Sequence, residues 1–323
     1  MSPLHSQLWH EGDYSGLFKL HLSSQREDEF MGRLTFIGLP LCTLSNLMGM
    51  TVAVRVLRET GIIARLQKNA APLIDSGDVP LSKIHSDSGP KNLTNFTQFL
   101  QDTERIRSAM SRVNAEGLLF GVGGECSICV GALAGLRSSI SGELGIIWID
   151  AHGDFNTPET TPSGYIGGMC LALACGRGPK LSEIMGDRDH LLSEENVVHV
   201  GSRSLDPAEF DNMLSSRMKI YSAVTVRKEG MKSTMNLAAS SLADRCDWII
   251  CHLDVDSIDP KIMPAVNFPA QDELSLDEVK GIVGAVQRTG KLKLFELAGY
   301  NPDLDRNGSC ATKLVKLVSA ILV

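Results

Sequence analysis

Gly145-Ile-Ile-Trp-Ile149 runs directly into Asp150-Ala-His152-Gly-Asp154, and Trp248-Ile-Ile-Cys-His-Leu253 runs into Asp254-Val-Asp256-Ser-Ile-Asp259-Pro260. Each apolar run reads as a buried strand, and each acidic cluster as the mouth of that strand. In an extended chain alternate residues share a face. The spacing therefore predicts that Asp150, His152 and Asp154 converge on one side, and that Asp254 and Asp256 do the same. Four carboxylates and an imidazole at one sheet end repel one another and stay charged only around cations. Carboxylate with imidazole is the ligand chemistry of Mn, Fe, Zn or Ni. Acidic residues ending strands in solvated loops would account for either cluster alone, but less readily for both with the same alternation.

Working outward, the chain alternates short apolar runs with longer amphipathic stretches. Strands are expected at 34–39, 117–122, 145–150, 196–200, 219–222, 248–254 and 293–297. Helices are expected at 52–67, 93–114, 128–140, 168–175, 207–215, 232–244, 276–288 and 310–322. That repetition predicts a single three-layer α/β domain over residues 33–323, preceded by an extension over 1–32 without clear periodicity. Segments 68–92 and 176–195, rich in small and polar residues, read as surface connections. In such sheets ligands bind outside the carboxyl ends of the strands, where both acidic clusters fall.

A net charge of −7 gives no basic footprint, so nucleic acid is not the expected partner. No apolar stretch reaches the roughly 18 residues of a membrane span, and the first two dozen residues lack a signal-peptide pattern. Eight cysteines without paired spacing fit reduced thiols, hence a cytoplasmic protein.

The two acidic motifs, with Gly123-Gly-Glu-Cys-Ser127, Thr160-Thr-Pro-Ser-Gly164, Gly201-Ser-Arg-Ser-Leu-Asp-Pro-Ala-Glu209 and Asn301-Pro302, resemble the arginase–agmatinase ureohydrolases. The resemblance implies a mostly parallel, eight-stranded sheet and a binuclear Mn²⁺ centre that hydrolyses linear guanidines or related imino groups. It also implies a homo-oligomer, often a trimer or hexamer. Asp150 and Asp254 would each bridge both ions, Asp154 would complete the first ion's set, and His152 and Asp256 the second's. The same resemblance marks Asp154 and Asp256 as the catalytic carboxylates. A hydroxide held between the ions would be the nucleophile.

The remaining ligand of the first ion is a histidine in the family, and here that position is Cys126. Four aspartates and two divalent ions sum to zero, so a Cys126 thiolate would take the centre to −1 and turn preference toward Zn²⁺ or Fe²⁺. Cys126 could instead be a small buried residue beside the site or, less readily, half of a redox pair with Cys129.

Two further departures concern substrate. The proton-shuttling histidine of arginases falls on Gly167, and the glutamate that grips the guanidinium falls on Gly299. Glu296 is nearby, at the offset of a structural acid. The amino-acid head-group positions are kept: Asn156 and Ser163 would face the α-carboxylate, and Asp206, with Glu209 as a second acid, the α-ammonium. Loop capping by Asn156 and helix capping by Asp206 explain the same residues without a ligand. The expected substrate is arginine or an Nω-hydroxyarginine-type relative. A non-guanidine amide, a condensation in a specialised pathway, or a catalytically silent subunit are the alternatives. His252 reads as a core or supporting histidine, and Trp148 and Tyr165 as core and wall.

Overall fold

The computed structural model describes residues 33–69, 72–113, 117–186, 188–271 and 274–322. The extension expected over residues 1–32 lies outside them. Eight strands form one all-parallel sheet in the order β2-β1-β3-β8-β7-β4-β5-β6. They are β1 (Leu34–Leu39), β2 (Leu73–Asp78), β3 (Leu118–Gly123), β4 (Leu144–Ile149), β5 (Val197–Val200), β6 (Lys219–Tyr221), β7 (Trp248–Asp254) and β8 (Leu292–Ala298). Buried on both faces, β1 and β4 are apolar or nearly so along their whole length, as parallel strands covered by helices must be.

The sheet divides two cores. One face packs the helices Ala53–Glu59, Met231–Ala243, Leu276–Gln287 and Ser309–Leu322 around Phe36, Phe120 and Phe295. The other packs Phe96–Arg112, Ile128–Ser139 and Cys170–Ala174 around Trp148, Phe99 and Phe155. The expected three layers are present.

Three local expectations are corrected. The edge strand β2 lies within the segment read as a polar connection. Its sequence, Leu-Ile-Asp-Ser-Gly-Asp, has little apolar signal because most of its residues face solvent. Backbone pairing with β1 and the Arg58 guanidinium on Asp75 and Asp78 hold it instead. The helix expected over 52–67 is broken: Gly61, at φ +93°, separates Ala53–Glu59 from Ile62–Asn69. A further helix, Ala223–Glu229, follows β6 where none was expected, started by the Ser222 hydroxyl accepting from Thr225 N at 3.1 Å.

β7 and β8 are the last strands in the chain but lie in the middle of the sheet, between β3 and β4. The carboxyl ends of β3, β8, β7 and β4 are therefore neighbours, and the segments leaving them meet over one cleft.

Candidate metal centre

Both acidic clusters open into that cleft, but not by extending the pleat. Asp150 follows β4, and its Oδ1 accepts the His152 N–H at 2.8 Å. Asp254 ends β7, and its Oδ1 accepts the Asp256 N–H at 2.7 Å. Each leading carboxylate thus turns the chain two residues on, which is the habit of aspartate in turns. Asp154 sits in the left-handed region at φ +49°, so the expected alternation does not reach it. The reason is that its carbonyl accepts from Leu171 and Ala172, the start of the helix Cys170–Ala174, and this folds the loop back.

Two overlapping triads result. Cys126 Sγ, Asp150 and Asp254 offer donor atoms within 4.8 Å of one another, and so do Asp150, His152 and Asp256. Asp150 belongs to both. Asp154 lies outside both triads, with Oδ2 accepting from the Cys170 thiol at 3.6 Å. Cys126 is in the turn between β3 and the helix Ile128–Ser139. Its thiol donates to Asp254 Oδ2 at 2.8 Å and reaches Asp150 Oδ2 at 3.9 Å.

The electrostatics fit a cation. All four aspartates are buried. Burial, then the neighbouring carboxylates, pushes Asp154, Asp254 and Asp256 above the usual carboxylate range. Burial and the charges of Asp254, Asp154 and Asp150 raise the Cys126 thiol well above normal, so it stands protonated. Burial alone would depress His152; hydrogen bonds and charge from Asp150 and Asp256 outweigh it and hold the ring pKa at about 12. Its Nδ1 lies 3.1 Å from Asp256 Oδ2 and 3.6 Å from Asp150 Oδ1. Asp150 is correspondingly held down at about 2, its desolvation overcome by His152. Protons on His152 and Cys126 thus stand where positive charge is needed. Asp256 Oδ1 is buried with no hydrogen-bond partner among the described residues. An O/N/S donor set with an unpaired buried carboxylate oxygen suits one or two divalent cations.

Cys126, His152, Asp254 and Asp256 of the triads, together with Asp154, line a cavity of about 300 Å³. Asn156, Ser163, Asp206 and Glu209 line its wall, with Tyr165, Phe268, Gly167 and Gly299. Among the described residues no lysine or arginine does. Asn156 is held between the Thr160 hydroxyl, which it accepts at 3.0 Å, and Asp206 Oδ2, to which it donates at 3.0 Å. Asp206 is the N-cap of the helix Pro207–Leu214. Glu209 accepts the Asp206 N–H at 3.2 Å and the Phe155 N–H at 3.0 Å. The capping alternative is therefore realised for this pair, and both residues line the cavity as well. Ser163 is exposed, its hydroxyl accepting from Tyr165 N at 3.2 Å. Gly299 has φ +81°, and a Cβ there would lie 2.2 Å from Asp254 Oδ1, so no glutamate fits this backbone as it stands.

Sequence reading takes Trp148, His252 and Glu296 for core or supporting residues, but misses His199 and the buried row that the four form across the sheet. His199, Trp148, His252 and Glu296 are successive partners across β5, β4, β7 and β8. Trp148 Nε1 donates to Asp150 Oδ2 at 3.1 Å. Its ring stacks on His252 at 3.8 Å and 6°. His252 Nδ1 meets Glu296 Oε2 at 2.8 Å, and His199 Nε2 meets the His152 carbonyl at 2.8 Å. The signal was present: Trp148 and His252 each precede a ligand-type aspartate by two residues and so share its face. His252 and Glu296 are both fully buried, in keeping with the supporting roles expected of them. A larger, open groove of about 670 Å³ beside β2 and the helix Phe96–Arg112 gathers no comparable donor set among the described residues.

Comparison with known proteins agrees with this fold. The arginase of Bacillus caldovelox is 32% identical over 295 residues, spanning 90% of this chain and 98% of that protein. Its native crystal structure superposes with a TM-score of 0.83 at 31% identity, again over 90% and 98% of the two chains. The Entamoeba histolytica arginase solved in complex with L-ornithine gives 0.80 at 26% identity, with the same coverage. The formimidoylglutamase of Bacillus subtilis, at 15% identity and a TM-score of 0.68 over 97% and 95%, shares the fold. The family model of the arginase family matches residues 33–323, and with that match, these relatives and the site just described, the chain belongs to the arginase family.

Proposed function

We propose that this arginase-family hydrolase cleaves a C–N bond of a linear amidine or guanidine carried on a small amino-acid-like molecule, with a binuclear Mn²⁺ centre held by Cys126, Asp150, His152, Asp154, Asp254 and Asp256. The observation that carries the reading is the pair of triads sharing Asp150, whose other members Cys126, His152, Asp254 and Asp256 line a cavity of small-molecule size. Two divalent ions bound there would supply Lewis acidity and acidify a water for attack on the amidine carbon. The chain's own residues do the rest. Asp150 and Asp254 fix the geometry, because each carboxylate is also tied to the backbone N–H two residues on. His152 and Cys126 give up the protons they hold at Nδ1 and Sγ when a cation arrives. Binding is therefore favoured by rising pH. Sulfur in the donor set makes Zn²⁺ or Fe²⁺ the alternatives to Mn²⁺.

Asn156, Ser163 and Asp206 offer an amide, a hydroxyl and a carboxylate on one wall, a set that suits a zwitterionic head group. L-Ornithine in the Entamoeba relative is a ligand of that kind. Gly167 and Gly299 place no acid, base or donor side chain against the reacting end. That end then needs little help in leaving, as in an Nω-hydroxyguanidine, whose nitrogen is less basic than that of arginine.

The test is a panel of arginine, Nω-hydroxyarginine, agmatine, guanidinobutyrate and formiminoglutamate, each assayed with Mn²⁺, Zn²⁺ and Fe²⁺. Nω-Hydroxyarginine is expected above arginine, and both above agmatine. Rapid agmatine hydrolysis would overturn the head-group argument. No turnover of any compound by metal-loaded protein would overturn the amidine reading in favour of a silent or differently directed arginase-family chain.

A further inference from the structure

Gly167 begins a short 3-10 turn, Gly167–Met169, on the cavity wall. A Cβ placed on it would lie 2.3 Å from Tyr165 Cζ and 2.5 Å from the Tyr165 hydroxyl oxygen. The space beside residue 167 is thus taken by a neighbouring ring. That ring is held at both ends. Its hydroxyl donates to Glu125 Oε2 at 3.0 Å. Glu125 is itself fixed by the Thr43 N–H at 2.9 Å and the Ser127 hydroxyl at 2.6 Å. On the other side the ring meets Phe268 at 5.8 Å, and Phe268 meets the His152 ring edge-on at 6.2 Å. Glu125 adjoins Cys126 of one triad, and His152 belongs to the other. Tyr165 and Phe268 therefore run along the cavity lining from Glu125, next to Cys126, to the His152 ring.

We propose that Tyr165 is the specificity-determining residue of this site. Pinned by Glu125, its ring limits the reacting end of the substrate to a slim planar amidine and excludes one bearing an N-alkyl chain. This rests on the amidine reading above. The physical argument is that the ring yields only by breaking its bond to a buried carboxyl group, which then keeps only the Thr43 N–H and the Ser127 hydroxyl. A flexible side chain with no anchor would instead move aside. Tyr165 is also the reason a larger residue at 167 does not fit, so the two positions act as one.

The experiment uses the full chain loaded with Mn²⁺ and three ligands: L-arginine, Nω-hydroxyarginine and Nω-propylarginine. Turnover is measured together with binding by calorimetry. Wild type is expected to discriminate against the propyl compound by on the order of 100-fold, and Tyr165→Ala to shrink that ratio at least about tenfold, mainly through KM. Tyr165→Phe, which keeps the ring but loses the pin, is expected in between, and it serves alone where Tyr165→Ala does not fold. A second readout needs no turnover: Gly167→Ala should lower the Tm of wild type but not of Tyr165→Ala, since the collision is then gone. An unchanged propyl-to-arginine ratio in both Tyr165 variants, or an equal Tm loss for Gly167→Ala in both backgrounds, would overturn the proposal. Binding without turnover would refute the hydrolytic reading while the binding ratio still judges Tyr165. Absence of binding by all three ligands would overturn both.

Discussion

Replacing Trp148 by phenylalanine separates what the indole does for the fold from what it does for the candidate metal centre. The side chain is fully buried in the core beneath Asp150, and a phenyl ring can keep most of the stack on His252. Two things are lost. The first is the Nε1–H bond of 3.1 Å to Asp150 Oδ2. Asp150 is ionised, held at about 2 by His152 against its burial, so the bond is charge-assisted and contributes about 1.5–3 kcal/mol. The second is the volume difference between indole and phenyl, whose cavity costs about 1 kcal/mol. Metal-stripped protein should therefore lose about 2.5–4 kcal/mol in urea unfolding. Freed of its donor, Asp150 should also reorient, and since it belongs to both triads, metal affinity should fall about 10–100-fold. Affinity is read by competition with a fluorescent chelator. Phe295→Leu is the control: that ring lies in the other core, stacked on Phe120, and its loss should cost stability without touching affinity. If Trp148→Phe lost stability but bound metal within about twofold of wild type, smaller than any effect expected of an orienting hydrogen bond, the indole would be a space-filler and the reasoning refuted.

Asp254→Asn should lower metal content per chain and abolish most of the thermal stabilisation that metal gives, which reaches about 4 kcal/mol at a thousandfold excess over Kd; elemental analysis of protein purified without chelator would refute this by returning a full complement. Cys126→His should turn preference toward Mn²⁺, and Cys126→Ser should weaken the Cys126–Asp150–Asp254 triad alone; unchanged stoichiometry and preference in both variants would reduce the thiol to packing. Glu278 is held at about 2 by Arg227 and then by the Ser275 N–H, outweighing its desolvation. Its folded pKa is depressed, so its contribution is present above the unfolded value near 4.5 and fades as pH falls toward 2. Glu278→Gln should therefore cost under about 1 kcal/mol at pH 7, the pair being partly exposed, and the difference from wild type should shrink between pH 4.5 and pH 3 in urea titrations.

Several features were legible because they are local and repetitive. The central strands announce themselves as apolar runs since they are buried on both faces, and the carboxylates at their ends have no cheap fate except a cation. The helices Pro207–Leu214 and Leu276–Gln287 begin with residues whose side chains cap them, Asp206 with Glu209 and Ser275 with Glu278. β2 was not legible, because an edge strand with solvated side chains is stabilised by backbone pairing and by Arg58, seventeen residues before Asp75. The position of Asp154 was not legible either. Its left-handed backbone is imposed by the helix Cys170–Ala174, which a period-two reading does not foresee.

Taken alone, the sequence determined a mostly parallel α/β domain, the two acidic motifs at its strand ends, and the glycines at positions 167 and 299. Those are properties of residue type and short-range order. The tertiary structure alone decided that Cys126 shares a triad with Asp150 and Asp254 while Asp154 lies outside both triads. It also decided that Trp148 reaches back to Asp150, and that Tyr165 fills the space beside Gly167. The physical reason is that β7 and β8 insert between β3 and β4. Segments far apart in the chain are thereby brought within hydrogen-bond distance, and no local pattern encodes which of their atoms meet.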